Sequence, residues 1–281
     1  MTLDLVQEPT PSLPETPAPF GAPAGRRRHT PRAHVVAVLV ARDGADRLPR
    51  VLTALAAATR PPDALVAADL GSRDRSAWLL ADAMPTVRLR RSATVADAVG
   101  AVLAVPAVRG PGHHGHDSHD GHDGGRPAPG PVPDADGAGT DVADWIWIVP
   151  HDAAPAATAL EELLLAVETA PSVGVAGCKQ VSWDDDQRLL DVGFTASPLG
   201  LRVTGVDRDE VDQGQHDGRS DVLAVSGAGM LVRRDVWDEL GGLDPALGPA
   251  GADLDLCRRA HLAGYRVVVV PRAVIARGSA R

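Results

Sequence analysis

The sequence predicts an α/β fold with a mostly parallel central sheet. Short runs rich in Val, Ile and Ala alternate along the chain with segments of helical periodicity, the pattern of βαβ units. The runs are continuously apolar, as strands buried on both faces must be. Several end in a polar tip, Asp43, Asp69 or His151-Asp152, and the carboxyl ends of strands are where open α/β sheets bind ligands.

Residues 1–33 are rich in Pro, Thr, Ala and Glu without periodicity, which predicts a disordered tail. Arg26-Arg27-Arg28 ahead of an apolar run has the outline of a secretory leader. The run is short and β-branched, however, and Arg42-Asp43 follows it instead of a small-residue cleavage site. Residues 34–41 therefore read as the first core strand. Leu48, Val51, Leu52, Leu55 and Thr59 follow helical spacing, stopped by Arg60-Pro61-Pro62. Residues 64–69 form a second strand, and Asp74 or Ser76 caps the helix carrying Leu79, Leu80 and Ala83. A short strand at 86–89 and an Ala/Val-rich helix at 95–105 complete the first half.

Residues 106–141 are Gly, Pro, His and Asp with little to bury, so they read as a disordered surface insertion. Beyond it come a strand from Asp144, a helix with Leu160, Leu163, Leu164 and Val167 on one face, and a strand at 172–177. Strands at 222–225 and 230–232 flank the small-residue turn Ser226-Gly227-Ala228-Gly229. A helix at 235–240 closes on Gly241-Gly242, a helix spans 253–263, and a strand at 265–270 ends the pattern.

Bulk properties narrow the function. A net charge of −9 argues against a nucleic-acid binder. Two cysteines, Cys178 and Cys257, read as buried free thiols and fit a reducing cytoplasm. No apolar run approaches the roughly 20 residues that span a bilayer.

Five constellations could carry chemistry. Asp69-Leu70-Gly71-Ser72-Arg73-Asp74 joins a strand to a helix, where glycine permits close backbone approach and the helix N-terminus attracts anions. It is either a ligand loop or a capped turn. Asp152, taken alone, reads as a helix cap, with His151 a ligand or hydrogen-bond donor. Asp253 and Asp255 sit two apart at a helix start, as capping acids or a general base. Asp212 to Asp217 is a solvated loop or a lid over a polar ligand. His113, His114, His116, His119 and His122 would bind Zn²⁺ or Ni²⁺ adventitiously, without the surroundings of a built site.

Taken in order, these pieces resemble family 2 glycosyltransferases of the GT-A fold, and more narrowly the catalytic domain of large actinobacterial members. The matching stretches are HVVAVLVARDGADRLPRVLTALAAATRPPDALVAADLGSRDRS at 34–76, DWIWIVPHDAAP at 144–155, VGVAGCKQ at 173–180, LLDVGFTASPLGLRVTG at 189–205, DQGQHD at 212–217 and VLAVSGAGMLVRRDVWDELGGLDPAL with DLDLCRRAHLAGYRVVVVP within 222–271.

The resemblance implies one domain over 34–281, with a Rossmann-like nucleotide-binding half and an acceptor-binding half. It implies a nucleoside-diphosphate sugar as donor, a UDP-sugar foremost, held by Asp43, Asp69, Gly71, Ser72, Asp74, His151 and Asp152. Asp152 is the expected ligand of Mg²⁺ or Mn²⁺ on the diphosphate. Asp253 falls at the general base, and Gly227, Ala228, Gly229 and Asp255 on the acceptor side. The reaction implied is an inverting transfer to a cell-envelope glycan or lipid-linked acceptor, at the inner face of the plasma membrane. Members of this kind continue into membrane helices, so the chain is expected to be either a fragment or a stand-alone domain.

Three positions depart from the family pattern. Ala153 stands where a second acid follows His-Asp, Ala252 where an acid precedes the base, and Ala276-Arg277 where a His follows the last strand. Asp152 alone is a poor anchor for a hard cation. Arg277 could supply part of the missing charge. The alternative function is a degenerate domain that binds nucleotide-sugar, or a protein partner, without turnover. A dinucleotide-dependent oxidoreductase is disfavoured, because Arg42-Asp43-Gly44 replaces the G-x-G-x-x-G loop after the first strand.

Overall fold

The computed structural model describes residues 33–105 and 144–278. The insertion predicted at 106–141 with its histidines, and the predicted tail apart from its last residue, lie outside the described residues.

The first half alternates strands and helices: β1 His34–Ala41, α1 Leu48–Ala56, β2 Ala64–Asp69, α2 Ser76–Ala83, β3 Thr86–Arg88 and α3 Val95–Leu103. Next come β4 Asp144–Pro150, β5 Ala153–Pro155, α4 Ala159–Glu168, β6 Val173–Ser182 and β7 Leu189–Asp191. The small pair β8 Thr195–Ala196 and β9 Arg202–Val203 follows, then β10 Met230–Arg233, α5 Arg234–Leu240, α6 Pro249–Leu262 and β11 Arg266–Arg277.

Among the described residues, nine strands form one sheet in the order β3-β2-β1-β4-β10-β6-β11-β5, with β7 added to β6. The β3-β2-β1-β4 half is wholly parallel. β10 enters antiparallel between β4 and β6, and β6 and β11 run parallel. Each face has its own core. Val36, Val38 and Val40 of β1 point to α3 and α6, while Val35, Ala37 and Leu39 point to α1, α2 and α4. The alternation of side chains along a strand produces this split. Truncating a fully buried member such as Leu39 to Ala costs about 2–5 kcal/mol.

Four boundaries differ from expectation, and each bears on the site. Residues 222–225 make one isolated bridge, Ala224 with Phe194, and Asp221 just before them bridges Val268, in place of a ladder. α6 starts at Pro249 instead of 253, because a proline in the first turn is pre-set for helix; Asp253 thus lies inside the helix. Asp152 caps nothing, because β5 follows it and α4 begins only at Ala159. Finally, β11 runs past Val270 to Arg277 through a register shift between Val270 and Val274. That extension pairs Arg277 with Ala153.

Candidate nucleotide-sugar site

Parallel register brings the carboxyl ends of β1, β2 and β4 to one edge, with Ala41 opposite Asp69 and Val40 opposite Pro150. The loops beyond them carry most of the predicted donor residues, and hydrogen bonds knit these together. Asp43, in the left-handed region at φ 49°, accepts from the Arg73 N–H (2.7 Å) and from Arg91 Nη2 (2.6 Å). Its own N–H donates to Ser72 Oγ at 3.0 Å. The Arg91 guanidinium, aided by the Arg73 amide, holds the Asp43 carboxyl down at about 2. Asp74 accepts from the N–H groups of Ala45 and Ser76, both at 2.9 Å. Ser76 in turn accepts from the Gly44 N–H at 2.8 Å.

Asp69 is fully buried. Its Oδ1 accepts from the Ser72 N–H at 3.2 Å, but its Oδ2 has no hydrogen-bond partner. Arg88 Nε stands 3.8 Å away, within ion-pair range and beyond a hydrogen bond. A buried acceptor without a donor suits a ligand N–H or O–H. Gly71 is required twice: its φ is +66°, and a Cβ would sit 2.7 Å from the Arg91 amide nitrogen. Gly44 is required once, because a Cβ there would collide with the His151 ring. Burial lowers the proton affinity of that ring, and the Asp152 charge only partly offsets it.

The tip of β4 holds Asp152. Arg277 Nη2 donates to its Oδ2 at 3.1 Å, and Arg277 Nη1 donates to Gln180 Oε1 at 3.3 Å. Backbone bonds fix both sides, from the Gly278 N–H to Asp152 O (2.9 Å) and from the Trp183 N–H to Arg277 O (2.8 Å). Gln180 Nε2 also donates to Ala228 O at 3.2 Å, tying this corner to the turn 226–230. Ala153 is fully buried in the apolar cluster beneath α1 and α4.

Mg²⁺ and Mn²⁺ take several oxygen ligands. Here Asp152 is the single carboxylate of its motif, a guanidinium already engages it, and its neighbours Ala153 and Ala276 offer no donor atoms. Among the described residues no cluster of three or more metal-ligating side chains exists. The donor set does not fit a divalent ion.

Asp253 lies on α6, buried, with Oδ2 accepting from the Gly227 N–H at 3.2 Å. Gly229 closes the same turn at φ +78°, donating to Ile148 O at 2.9 Å, and Ala228 is buried beside it. Burial pushes the Asp253 carboxyl above the ordinary aspartate range. Asp255 points its charge elsewhere, to Arg259 at 2.6 Å one helical turn on. Ala252 is packed against the apolar core.

Three residues escape prediction. Arg202 of β9 pairs with Asp191 and stands 3.5 Å from Asp253. Asp191, also buried, is pushed up by that burial, while the charges of Arg202 and Arg277 pull it back. Asp152, Arg277, Asp191, Arg202 and Asp253 thus alternate in charge, each acid facing a guanidinium. Lys179, the third, is buried and donates to Asp212 and Asp217, both at 2.7 Å, clamping the 212–217 loop. A sequence signal existed: Lys179 and Gln180 interrupt an apolar strand, and Asp191 is a lone acid in LLDVG. Both cysteines are free and buried, their thiols pushed up to about 12 by burial.

Beneath the β8–β9 pair lies a cavity of about 550 Å³ whose lining includes Phe194, Val203, Arg219, Leu223 and His261. Asp43, Asp69 and Asp152 are not part of its lining. No helix among the described residues is long and apolar enough to cross a membrane.

Solved structures of known proteins share this fold. A mannosyltransferase from Pyrobaculum calidifontis, solved with GDP-Man and Mn²⁺, superposes with a TM-score of 0.53 at 17% identity, over 87% of this chain and 56% of that one. GalNAc-T7 with UDP, GalNAc and Mn²⁺ gives 0.59 at 13% identity, over 89% and 44%. S. aureus TarS 1–349 with UDP-GlcNAc gives 0.55 at 10% identity, over 88% and 59%. The chain spans about half the length of these structures, and likeness at such identities shows the fold, GT-A. No curated protein matches the chain in sequence. The model of the family described as glycosyltransferase like family 2 matches residues 31–281. The chain belongs to glycosyltransferase family 2.

Proposed function

We propose that this domain transfers a sugar from a nucleoside-diphosphate sugar, a UDP-sugar foremost, to a hydroxyl of a cell-envelope glycan or lipid-linked acceptor, with inversion. Asp253 carries the reading: a buried carboxylate of raised proton affinity, held by the amide of the Gly227 turn. A base whose proton affinity approaches the working pH accepts a proton most effectively during bond formation. Asp253 takes the acceptor hydroxyl proton. The freed oxygen forms the new bond to the anomeric carbon, and the bond from that carbon to the diphosphate oxygen breaks. The electron pair leaves with the nucleoside diphosphate.

Asp43, Asp69, Gly71, Ser72 and Asp74 bind the nucleoside end, with the spare Oδ2 of Asp69 as acceptor for a base or ribose proton. His151 lies against Gly44, beside these loops. The turn Gly227-Ala228-Gly229 shapes the acceptor side. Leu199 and Leu201, between β8 and β9, are 87% and 65% exposed, which supports a lipid-linked acceptor and work at the inner membrane face.

A second reading, binding without turnover, is favoured by one observation: Arg202 already occupies Asp253. Titrating a panel of UDP- and GDP-sugars by calorimetry, then assaying nucleoside diphosphate release, separates the two. Binding with release supports transfer, binding without release supports the second reading, and no binding overturns both.

A further inference from the structure

We infer that Arg277 takes the part of the divalent cation, so that this domain grips the donor diphosphate with a guanidinium and needs no metal. The inference rests on the proposed nucleotide-sugar site and concerns its diphosphate end. Position comes first. The register shift in β11 delivers Arg277 opposite Ala153, and its guanidinium engages Asp152, the acid expected to ligate the metal.

Charge is the second ground. Two carboxylates holding a doubly charged ion present no net charge to the diphosphate. One carboxylate with one guanidinium presents the same. Ala153 in place of an acid and Arg277 in place of a neutral His therefore compensate each other. The two departures read as one exchange.

Spare bonding capacity is the third. A guanidinium has five N–H donors in a planar fork suited to phosphate oxygens. At Arg277, Nη2 serves Asp152 and Nη1 serves Gln180, while Nε is buried without a hydrogen-bond partner. A buried donor left unmade asks for an acceptor that arrives with a ligand. Gln180 and the flanking backbone bonds of Trp183 and Gly278 hold the fork in place beforehand.

The test is calorimetry of UDP and of uridine on the full chain, in EDTA and with Mn²⁺, for wild type, Arg277→Ala and Arg277→Lys. Wild type is expected to bind UDP equally in both conditions. Arg277→Ala is expected to weaken UDP by about tenfold to a hundredfold, as loss of a charge-assisted contact does, and to leave uridine unchanged. Unchanged uridine affinity shows that the variant is folded. Should Arg277→Ala fail to fold, Arg277→Lys, which keeps the charge and loses the fork, is expected to weaken UDP severalfold with uridine intact. UDP binding that needs Mn²⁺ and ignores Arg277 overturns the inference and leaves the nucleotide-sugar reading standing. Failure of wild type to bind any nucleotide overturns that reading, and this inference with it.

Discussion

Arg202 Nη1 lies 3.5 Å from Asp253 Oδ2, and the same guanidinium pairs with Asp191 and sits 3.8 Å over the Phe194 ring. One cation thus serves two buried carboxylates. Burial raises the proton affinity of both, and Arg202 lowers it. A carboxyl whose folded pKa is raised stabilises the fold fully at low pH, and that contribution is lost as pH rises through the folded value. Replacing Arg202 by Met removes the restraint. The acid limb of kcat/KM against pH is expected to move upward. Stability near pH 8 is expected to fall relative to that near pH 5, by about 1–3 kcal/mol after discounting for the partial exposure of Arg202. An unmoved acid limb would show that Arg202 does not govern Asp253.

Asp43 has the opposite sign. With its carboxyl held at about 2, its contribution to stability is present above the ordinary aspartate range and fades only as pH falls toward that value. Uridine affinity, free of the titration of a terminal phosphate, is therefore expected to stay level from about pH 5 to pH 8 while turnover changes. Calorimetry across that range checks this, and an affinity that tracks the turnover limb contradicts it.

The vacant acceptor on Asp69 gives a sharper variant. Asp69→Asn can keep the Ser72 amide bond through its carbonyl but sets an NH₂ group where Oδ2 stood. UDP and uridine are both expected to bind about tenfold more weakly, in contrast to Arg277→Ala, which spares uridine. Equal affinity for the wild type and the variant would remove Asp69 from the nucleoside contacts.

Ala153 separates sequence logic from packing. A family comparison suggests that Ala153→Asp restores a metal site. Yet Ala153 is fully buried, and its cross-strand partner is Arg277. A carboxylate introduced there meets the guanidinium before it meets any ion. The single substitution is expected to cost about 1–3 kcal/mol and to give no rise of Tm with Mn²⁺. Combined with Arg277→His, it is expected to gain Mn²⁺-dependent stabilisation. A metal response in the single variant would contradict the exchange of ion for guanidinium.

Lys179 anchors the 212–217 loop through two carboxylates. Burial draws its proton affinity down, but Asp212 and Asp217 more than reverse this. Lys179→Met leaves both acids unpaired and is expected to cost about 3 kcal/mol, or roughly 6–12 °C in Tm. Limited proteolysis is expected to cut within 212–217. A loop that stays resistant would show that other contacts hold it.

The parallel half of the fold is legible because strands buried on both faces, such as β1 and β4, are written as unbroken apolar runs. The gathering of Asp43, Asp69 and Asp152 at one edge of the sheet is legible for a related reason: they stand where those runs stop. Later elements blur. Gly248 and Gly251 hide the start of α6, so Asp253 reads as a cap when it is an interior, buried acid. β11 reads as ending at Val270 because Pro271-Arg272 follows, and the register shift that carries it on to Arg277 leaves no local mark. Arg202 lies in a two-residue strand whose partners, Asp191 and Asp253, are 11 and 51 residues away. Only tertiary structure assembles that set.

Comparing wild type with Asp253→Asn bears most directly on sugar transfer. Release of nucleoside diphosphate from the bound sugar nucleotide is measured beside the affinity for UDP. Turnover is expected to fall by about 10²–10⁴ with UDP affinity unchanged, the loss expected for a general base. Release at the wild-type rate from Asp253→Asn would contradict the proposed transfer.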